Sequence, residues 1–300
     1  MKKTISREKS RGLFIFLFTI PALIVYLVFF GYPILQSFYI SFFRWSGLSD
    51  KKTFVGLENF ERLIKDPVVW QALRNNMVMY VFGTIFTFTL AIFLATVLVK
   101  KELKESRFYR VVFLFPNVLS IVVVSIIWSF IYSPTMGILN NTLELIGLES
   151  LTRTWLGDES TVLGALIVPQ VWMFTGFFMV LYMAGMRNIP KSLYEAARID
   201  GASEVKQFFH ITIPMLWEII RTSLVFFVAR AFQSTFSLVY VTTSGGPNRA
   251  SEILSTYMYE QGFANSNFGY ATVIGLLLFA VMSIINYILQ KVTEREVVEY

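Results

Sequence analysis

Six stretches of this chain are long and apolar enough to cross a lipid bilayer, at about residues 12–34, 76–99, 108–132, 161–186, 217–241 and 269–290. A hydrocarbon core of roughly 30 Å takes about 20 apolar residues of helix. Backbone N–H and C=O groups in lipid must be satisfied within the spanning structure, which leaves helices or a closed barrel. A barrel shows short alternating strands, whereas these runs are continuous. The sequence therefore predicts an all-α, polytopic membrane protein with six transmembrane helices. Pro21, Pro33, Pro116 and Pro169 lie in or near the spans, where neighbouring helices can cover the freed carbonyls.

Composition agrees with that reading. Only 15% of the 300 residues are charged and 55% are hydrophobic, against about 25% charged in soluble domains. The net charge of +6 is spread among the apolar runs, which fits membrane orientation rather than nucleic-acid binding. The start, MKKTISREKSRG, resembles the charged end of a secretion signal. The run after it continues through Phe43 without a charge, far beyond a signal core of about 7–15 residues. It reads as a retained first transmembrane helix behind a tail of residues 1–11.

Six spans put both termini on one side, and Lys and Arg decide which. The segments on the side of the termini hold 17 of them, among them Lys2, Lys101, Arg187, Lys191, Arg198 and Arg295. The other side holds eight, from Arg44 to Arg249, and Arg230 lies inside a span. The positive-inside rule places both termini in the cytoplasm, including a tail of residues 291–300. Residues 35–75, 133–160 and 242–268 then form external loops. The first holds a short amphipathic helix ending near Asp66-Pro67, and the last carries the turn signal Ser244-Gly245-Gly246-Pro247-Asn248. That turn is either a plain connector or part of a docking surface.

The largest cytoplasmic loop, residues 187–216, is unlike everything around it. Ile189-Pro190-Lys191-Ser192 reads as a helix start with Ser192 as a cap, and Asp200-Gly201 as its end. Ala202-Ser203-Glu204 starts a second short helix towards Ile213-Pro214. Ala196, Ala197 and Ala202 leave a shallow surface that another protein could approach closely. On physics alone an ordinary amphipathic connector is the first reading, and a docking element is the alternative.

The pattern itself adds more. Glu195-Ala196-Ala197, three residues, Gly201, then Ile211-x-x-Pro214 resembles the EAA loop of ABC importer permeases. The stretch EAARIDGASEVKQFFHITIPML follows that loop for more than twenty positions, with Trp217-Glu218 standing where the family often has a second proline. Phe108-Tyr109-Arg110 with Phe115-Pro116, Ile127-Trp128 and Pro134-x-x-Gly137 resembles the third-span region of carbohydrate-uptake permeases. Phe54 to Phe60 and Thr243 to Pro247 with Thr256-Tyr257 resemble their external loops. Within the family the chain is similar to the maltose-transporter F-type subunit class. The resemblance implies a coupling helix that docks on a cytoplasmic ATPase through Glu195, Ala196, Ala197, Asp200, Gly201 and Ala202. It also implies a heterodimer with a second, homologous permease, two ATPase subunits that use ATP and Mg, and an extracellular solute-binding protein. The expected setting is the inner (cytoplasmic) membrane of a prokaryote.

Candidates for the substrate path come from chemistry. Arg230 stands near the middle of the fifth span, where a charge is costly unless it faces a wet cavity or a partner. It either meets a sugar hydroxyl or carboxylate, or pairs with a neighbouring helix. Sugars need planar hydrogen-bonding groups and aromatic faces, which Gln233, Asn117, Gln170, Trp128 and Trp172 could supply. The alternatives are interfacial anchoring or packing for the tryptophans, and for Asn117 the satisfaction of a helix broken at Pro116.

Several chemistries are excluded. His210 is the only histidine and there is no cysteine, so a His-based triad and a His or Cys metal cluster are impossible. No Gly-x-x-x-x-Gly-Lys-Ser/Thr occurs, so the chain carries no P-loop and is expected to bind no cofactor itself. Acidic residues are nearly absent from the spans, which counts against an ion relay. The expectation is a non-enzymatic permease subunit of an importer for a saccharide, foremost an oligosaccharide. An acidic saccharide, another polar solute, and ion-coupled secondary transport are the alternatives.

Overall fold

The computed structural model describes residues 2–100 and 105–294. Lys101, Lys104 and Arg295, three charges of the orientation argument, lie outside the described residues. The chain divides into two compact units, one of the described residues to Asp66 with Met258–Leu277, the other of Pro67–Tyr257 with the residues from Leu278.

The first unit opens with α1 (Lys2–Tyr26), which passes through a π-turn at Leu27–Gly31 into α2 (Tyr32–Ile40). Helix thus extends beyond the 12–34 span at both ends. None of its most apolar window is buried within the chain, as expected of a helix apolar all round that meets lipid or another chain. Strands β1 (Phe43–Arg44) and β2 (Thr53–Phe54) pair antiparallel, Phe43 opposite Phe54. The expected short helix is α3 (Glu58–Lys65), with Glu58 and Glu61 in its first turn and Arg62 and Lys65 in its last, matching the helix dipole. Its Asn59 amide donates to Ser41 O at 2.9 Å and Phe43 O at 3.0 Å. Tyr270 donates to Asp66 at 2.6 Å, with the Arg62 guanidinium 3.9 Å over its ring.

The second unit is a helical bundle built around α8 (Val162–Arg187). Its other elements are α4 (Pro67–Lys100), α5 (Ser106–Val118), α6 (Ile121–Ile131), α7 (Ile138–Leu145), α9 (Lys191–Ile199), α10 (Glu204–Gln207) and α11 (Ile213–Thr242). Across the unit boundary run α12 (Leu254–Tyr259) and α13 (Phe268–Thr293). Helix α8 packs on α4, α5, α6 and α11, and 72% of its most apolar window is buried. Phe88, Phe174, Phe178, Tyr182 and Phe227 fill the middle of this bundle. At Gly176 an added Cβ would fall 1.8 Å from Phe113 O, so α5 lies backbone against backbone on α8.

Two spans differ from the straight rods that apolar length suggests. The third is the pair α5 and α6, bent by 101°, because Leu119 and Ser120 are extended after Pro116. The second helix of the 187–216 loop does not stop before the fifth span. It runs on as one helical stretch, Glu204–Thr242, through a π-turn at Phe208–Thr212. Pro214 offers no N–H to the ladder and its ring crowds the carbonyl one turn back, and the wider turn relieves both.

The loop after α11 is pinned to the start of α4. Asn75, buried, donates from one amide to Ala250 O at 3.0 Å and Glu252 O at 2.8 Å. Asn76 accepts from Leu254 N at 2.9 Å, and Gln71 donates to Arg249 O at 2.9 Å. Glu252 is buried beside Arg249 at 3.0 Å and accepts from Thr256. The turn residues Gly245 and Gly246 precede a cis bond to Pro247.

Candidate functional site: the 187–216 loop and the residues lining the bundle

Helix α9 leaves the bundle immediately after α8. Ile189 is buried and Pro190 takes the position before the first helical residue, pre-set for the start. Ser192 therefore lies inside the helix and caps nothing, contrary to expectation. No residue of α9 is buried; Glu195 and Ala196 are exposed and Ile199 is 87% exposed.

The helix ends by a complete Schellman motif. Gly201 N–H donates to Arg198 O at 3.0 Å and Ala202 N–H to Ala197 O at 2.8 Å. Gly201 has φ +74° with no atom within 4 Å of where a Cβ would sit. The glycine is demanded by backbone conformation and not by crowding. Ala196, Ala197, Asp200, Gly201 and Ala202 thus all belong to one rigid corner.

Two contacts that the sequence did not signal tie the corner to the bundle. Tyr194 Oη and Thr212 Oγ1 lie 2.9 Å apart, bridging α9 to the π-turn below α11. Gln207, buried, donates to Ala202 O at 2.8 Å. Ser203 caps α10 by accepting from Lys206 N at 3.3 Å. The second helix start at Ala202-Ser203-Glu204 was readable in the sequence, but the Ser203 cap and the Tyr194 and Gln207 partners depend on the fold of the loop.

The residues proposed to line a substrate path gather around one stretch of α8. The Arg230 guanidinium lies 5.4 Å from the Phe174 ring, 5.7 Å from Phe226 and 5.8 Å from Phe177. Among the described residues it makes no ion pair; the rings hold it by cation–π attraction. Asn117 donates to Met173 O at 3.3 Å, tying the end of α5 to α8. Trp128 and Trp172 meet edge to face at 5.9 Å, and Tyr132 and Trp155 extend the aromatic row. Gln170 is 1% exposed, and neither amide atom has a hydrogen-bond partner. It packs against Gly83 of α4. The Trp128 indole N–H is likewise buried without a partner. Gln233 is exposed on α11 and is not brought to this group by any described contact.

Comparison with known proteins places the geometry. Residues 77–299 match the family model "Binding-protein-dependent transport system inner membrane component". The Bacillus subtilis protein named "Probable ABC transporter permease protein YurN" is 41% identical over 267 residues, 89% of this chain and 91% of that one. The diacetylchitobiose uptake system permease protein NgcF of Streptomyces coelicolor is 31% identical over 86% of this chain and 76% of its own length. The crystal structure of a bacterial ABC transporter for import of the acidic polysaccharide alginate includes a chain of the same fold. The two superpose with TM-score 0.83 at 22% identity, over 98% of this chain and 99% of that one. The six apolar spans, the exposed Schellman-ended helix and these matches together establish that the chain belongs to the family of binding-protein-dependent transport system inner membrane components, the permeases of ABC transporters.

Proposed function

We propose that this chain is the saccharide-translocating permease subunit of an ATP-driven importer, and that α9 is where ATP hydrolysis is transmitted to the spans. The observation that carries this is the corner at Glu195–Ala202. It is rigid, exposed, rich in alanine, and linked to α11 through the Tyr194–Thr212 bridge. A corner that fits the groove of a separate ATPase passes the closing of that ATPase to α8 and α11, since it continues directly into both. The membrane helices then shift between inward-facing and outward-facing states. Positive-inside counting places the corner in the cytoplasm and the Asn75-pinned loop outside, where a binding protein delivers solute.

An uncharged oligosaccharide is the substrate class we favour. The relative NgcF carries a name for diacetylchitobiose uptake, and one stretch of α8, from Gln170 to Met173, carries the unpartnered Gln170 amide, the edge-to-face Trp128–Trp172 pair and the contact to the Asn117 amide. Arg230 adds a donor for a ring hydroxyl. A second permease of the same family and two ATPase subunits complete the assembly.

The test is isolation of the complex from native membranes by an affinity tag on this chain, followed by reconstitution. An ATPase subunit is expected to co-purify, and uptake of a neutral oligosaccharide into vesicles is expected to require ATP, this chain and the binding protein. Uptake by this chain alone, driven by an ion gradient, would replace the reading with secondary transport.

A further inference from the structure

Beneath α9 a cavity of about 730 Å³ opens at the ends of α4 and α8. Its polar lining contains three cations, Arg187, Lys191 and Arg198, and two acids, Glu195 and Glu204. Among the described residues none of the three cations forms an ion pair. Its apolar wall is Leu98, Val99, Met186 and Ile189. A second hollow of about 740 Å³ lies alongside, between α4 and the arm leading to α11, lined by Ile92, Phe93, Val97, Val205, Phe209 and Ile213 among others. Thr96 and Glu204 line both. The result is an apolar groove along a membrane helix, running into a cationic chamber where that helix ends.

We infer that this paired hollow is a binding site for an anionic phospholipid, its headgroup among Arg187, Lys191 and Arg198 and an acyl chain along Ile92, Phe93 and Val97. Three unpaired cations, Arg187 at the end of α8 with Lys191 and Arg198 on α9, outnumber the two acids of the lining and attract negative charge, and basic pockets between helices at the membrane face suit anionic headgroups. The groove explains the other half, because a free anion has no use for an apolar channel more than two helical turns long. Arg198 and Lys191 stand on α9 itself, so a bound headgroup braces the docking helix against α8. The site is independent of which solute is carried.

The experiment is native mass spectrometry of the assembled transporter, offered dioleoyl phosphatidylglycerol or phosphatidylcholine, with the double variant Arg187→Gln, Lys191→Gln beside the wild type. Both side chains are exposed, so the variant keeps its fold. Wild type is expected to retain phosphatidylglycerol over phosphatidylcholine, and the variant to lose about tenfold or more of that preference. The double variant Ile92→Trp, Val97→Trp fills the groove and is expected to lose the lipid while keeping its cations; undiminished retention in it overturns the acyl-chain half of the site. Equal retention of the two lipids, or retention unchanged in the double variant, overturns the inference. Displacement of the lipid by millimolar inorganic phosphate overturns it in favour of a soluble anion. Loss of the ATPase subunit from the double variant with lipid retention intact assigns the cations to a protein interface instead.

Discussion

Tyr194 and Thr212 face each other across the loop with their hydroxyl oxygens 2.9 Å apart. Among the described residues they form a side-chain hydrogen bond between α9 and the arm that becomes α11, and Thr212 is buried. Any push on α9 therefore reaches α11 by two routes, through the covalent corner at Gly201 and through this bridge.

Tyr194→Phe removes the bridge and leaves the Thr212 hydroxyl without that partner, a loss of about 0.5–1.5 kcal/mol. The complex should assemble normally. Solute moved per ATP hydrolysed should fall severalfold in reconstituted vesicles, and an unchanged ratio would show that the corner alone transmits the motion.

Gly201 separates backbone from surface effects. Gly201→Ala costs about 1 kcal/mol for the left-handed conformation and meets no neighbour, so ATPase capture should persist. Gly201→Asp carries a similar backbone cost and adds a charge at the exposed corner, and should lose capture in a pull-down. If both variants fail alike, conformation and not surface governs docking.

Asn75→Ala deletes two hydrogen bonds to Ala250 O and Glu252 O from one buried amide. Leaving the buried Glu252 carbonyl and the half-buried Ala250 carbonyl without this partner should cost about 1–3 kcal/mol and lower the melting temperature in detergent. Binding-protein-stimulated uptake should fall in parallel, because the loop after α11 keeps only its Asn76 and Gln71 contacts to α4.

Arg230→Ala removes the cation held over Phe174, Phe177 and Phe226. Uptake should be abolished while the assembled complex still hydrolyses ATP. Arg230→Lys keeps the charge but loses the planar fork and should retain a minor fraction of uptake. Normal uptake in the alanine variant removes Arg230 from the substrate path.

Gln170→Met replaces a buried amide lacking hydrogen-bond partners with an apolar side chain of similar shape. An unsatisfied buried amide costs about 1–3 kcal/mol, so the variant should melt higher. Uptake should nevertheless drop, which distinguishes an amide kept for solute from one kept for packing.

The sequence made the spans legible because a bilayer demands uninterrupted apolar length, a property of neighbouring residues alone. It made the Glu195–Ala202 corner legible because a Schellman ending needs a glycine at one position, and Gly201 stands there. It misplaced Ser192 as a cap because two residues qualify near a helix start, and only the chain's path out of α8 selects Pro190. The 101° bend after Pro116 was not legible, since a membrane proline is compatible with a straight, kinked or broken helix until its neighbours are known.

By itself, then, the sequence determined the all-α, membrane-spanning class, the charge asymmetry between its apolar runs and the chemistry of the exposed corner. Those follow from the local cost of putting backbone and charge into lipid. Tertiary structure alone decided that Arg230, Asn117 and Trp128 converge on one stretch of α8 while Gln233 does not, and that Tyr194 and Gln207 brace the corner. Residues so far apart in sequence meet only through the crossing of packed helices, such as α5 on α8 at Gly176, and crossings are set by surfaces that no single segment specifies.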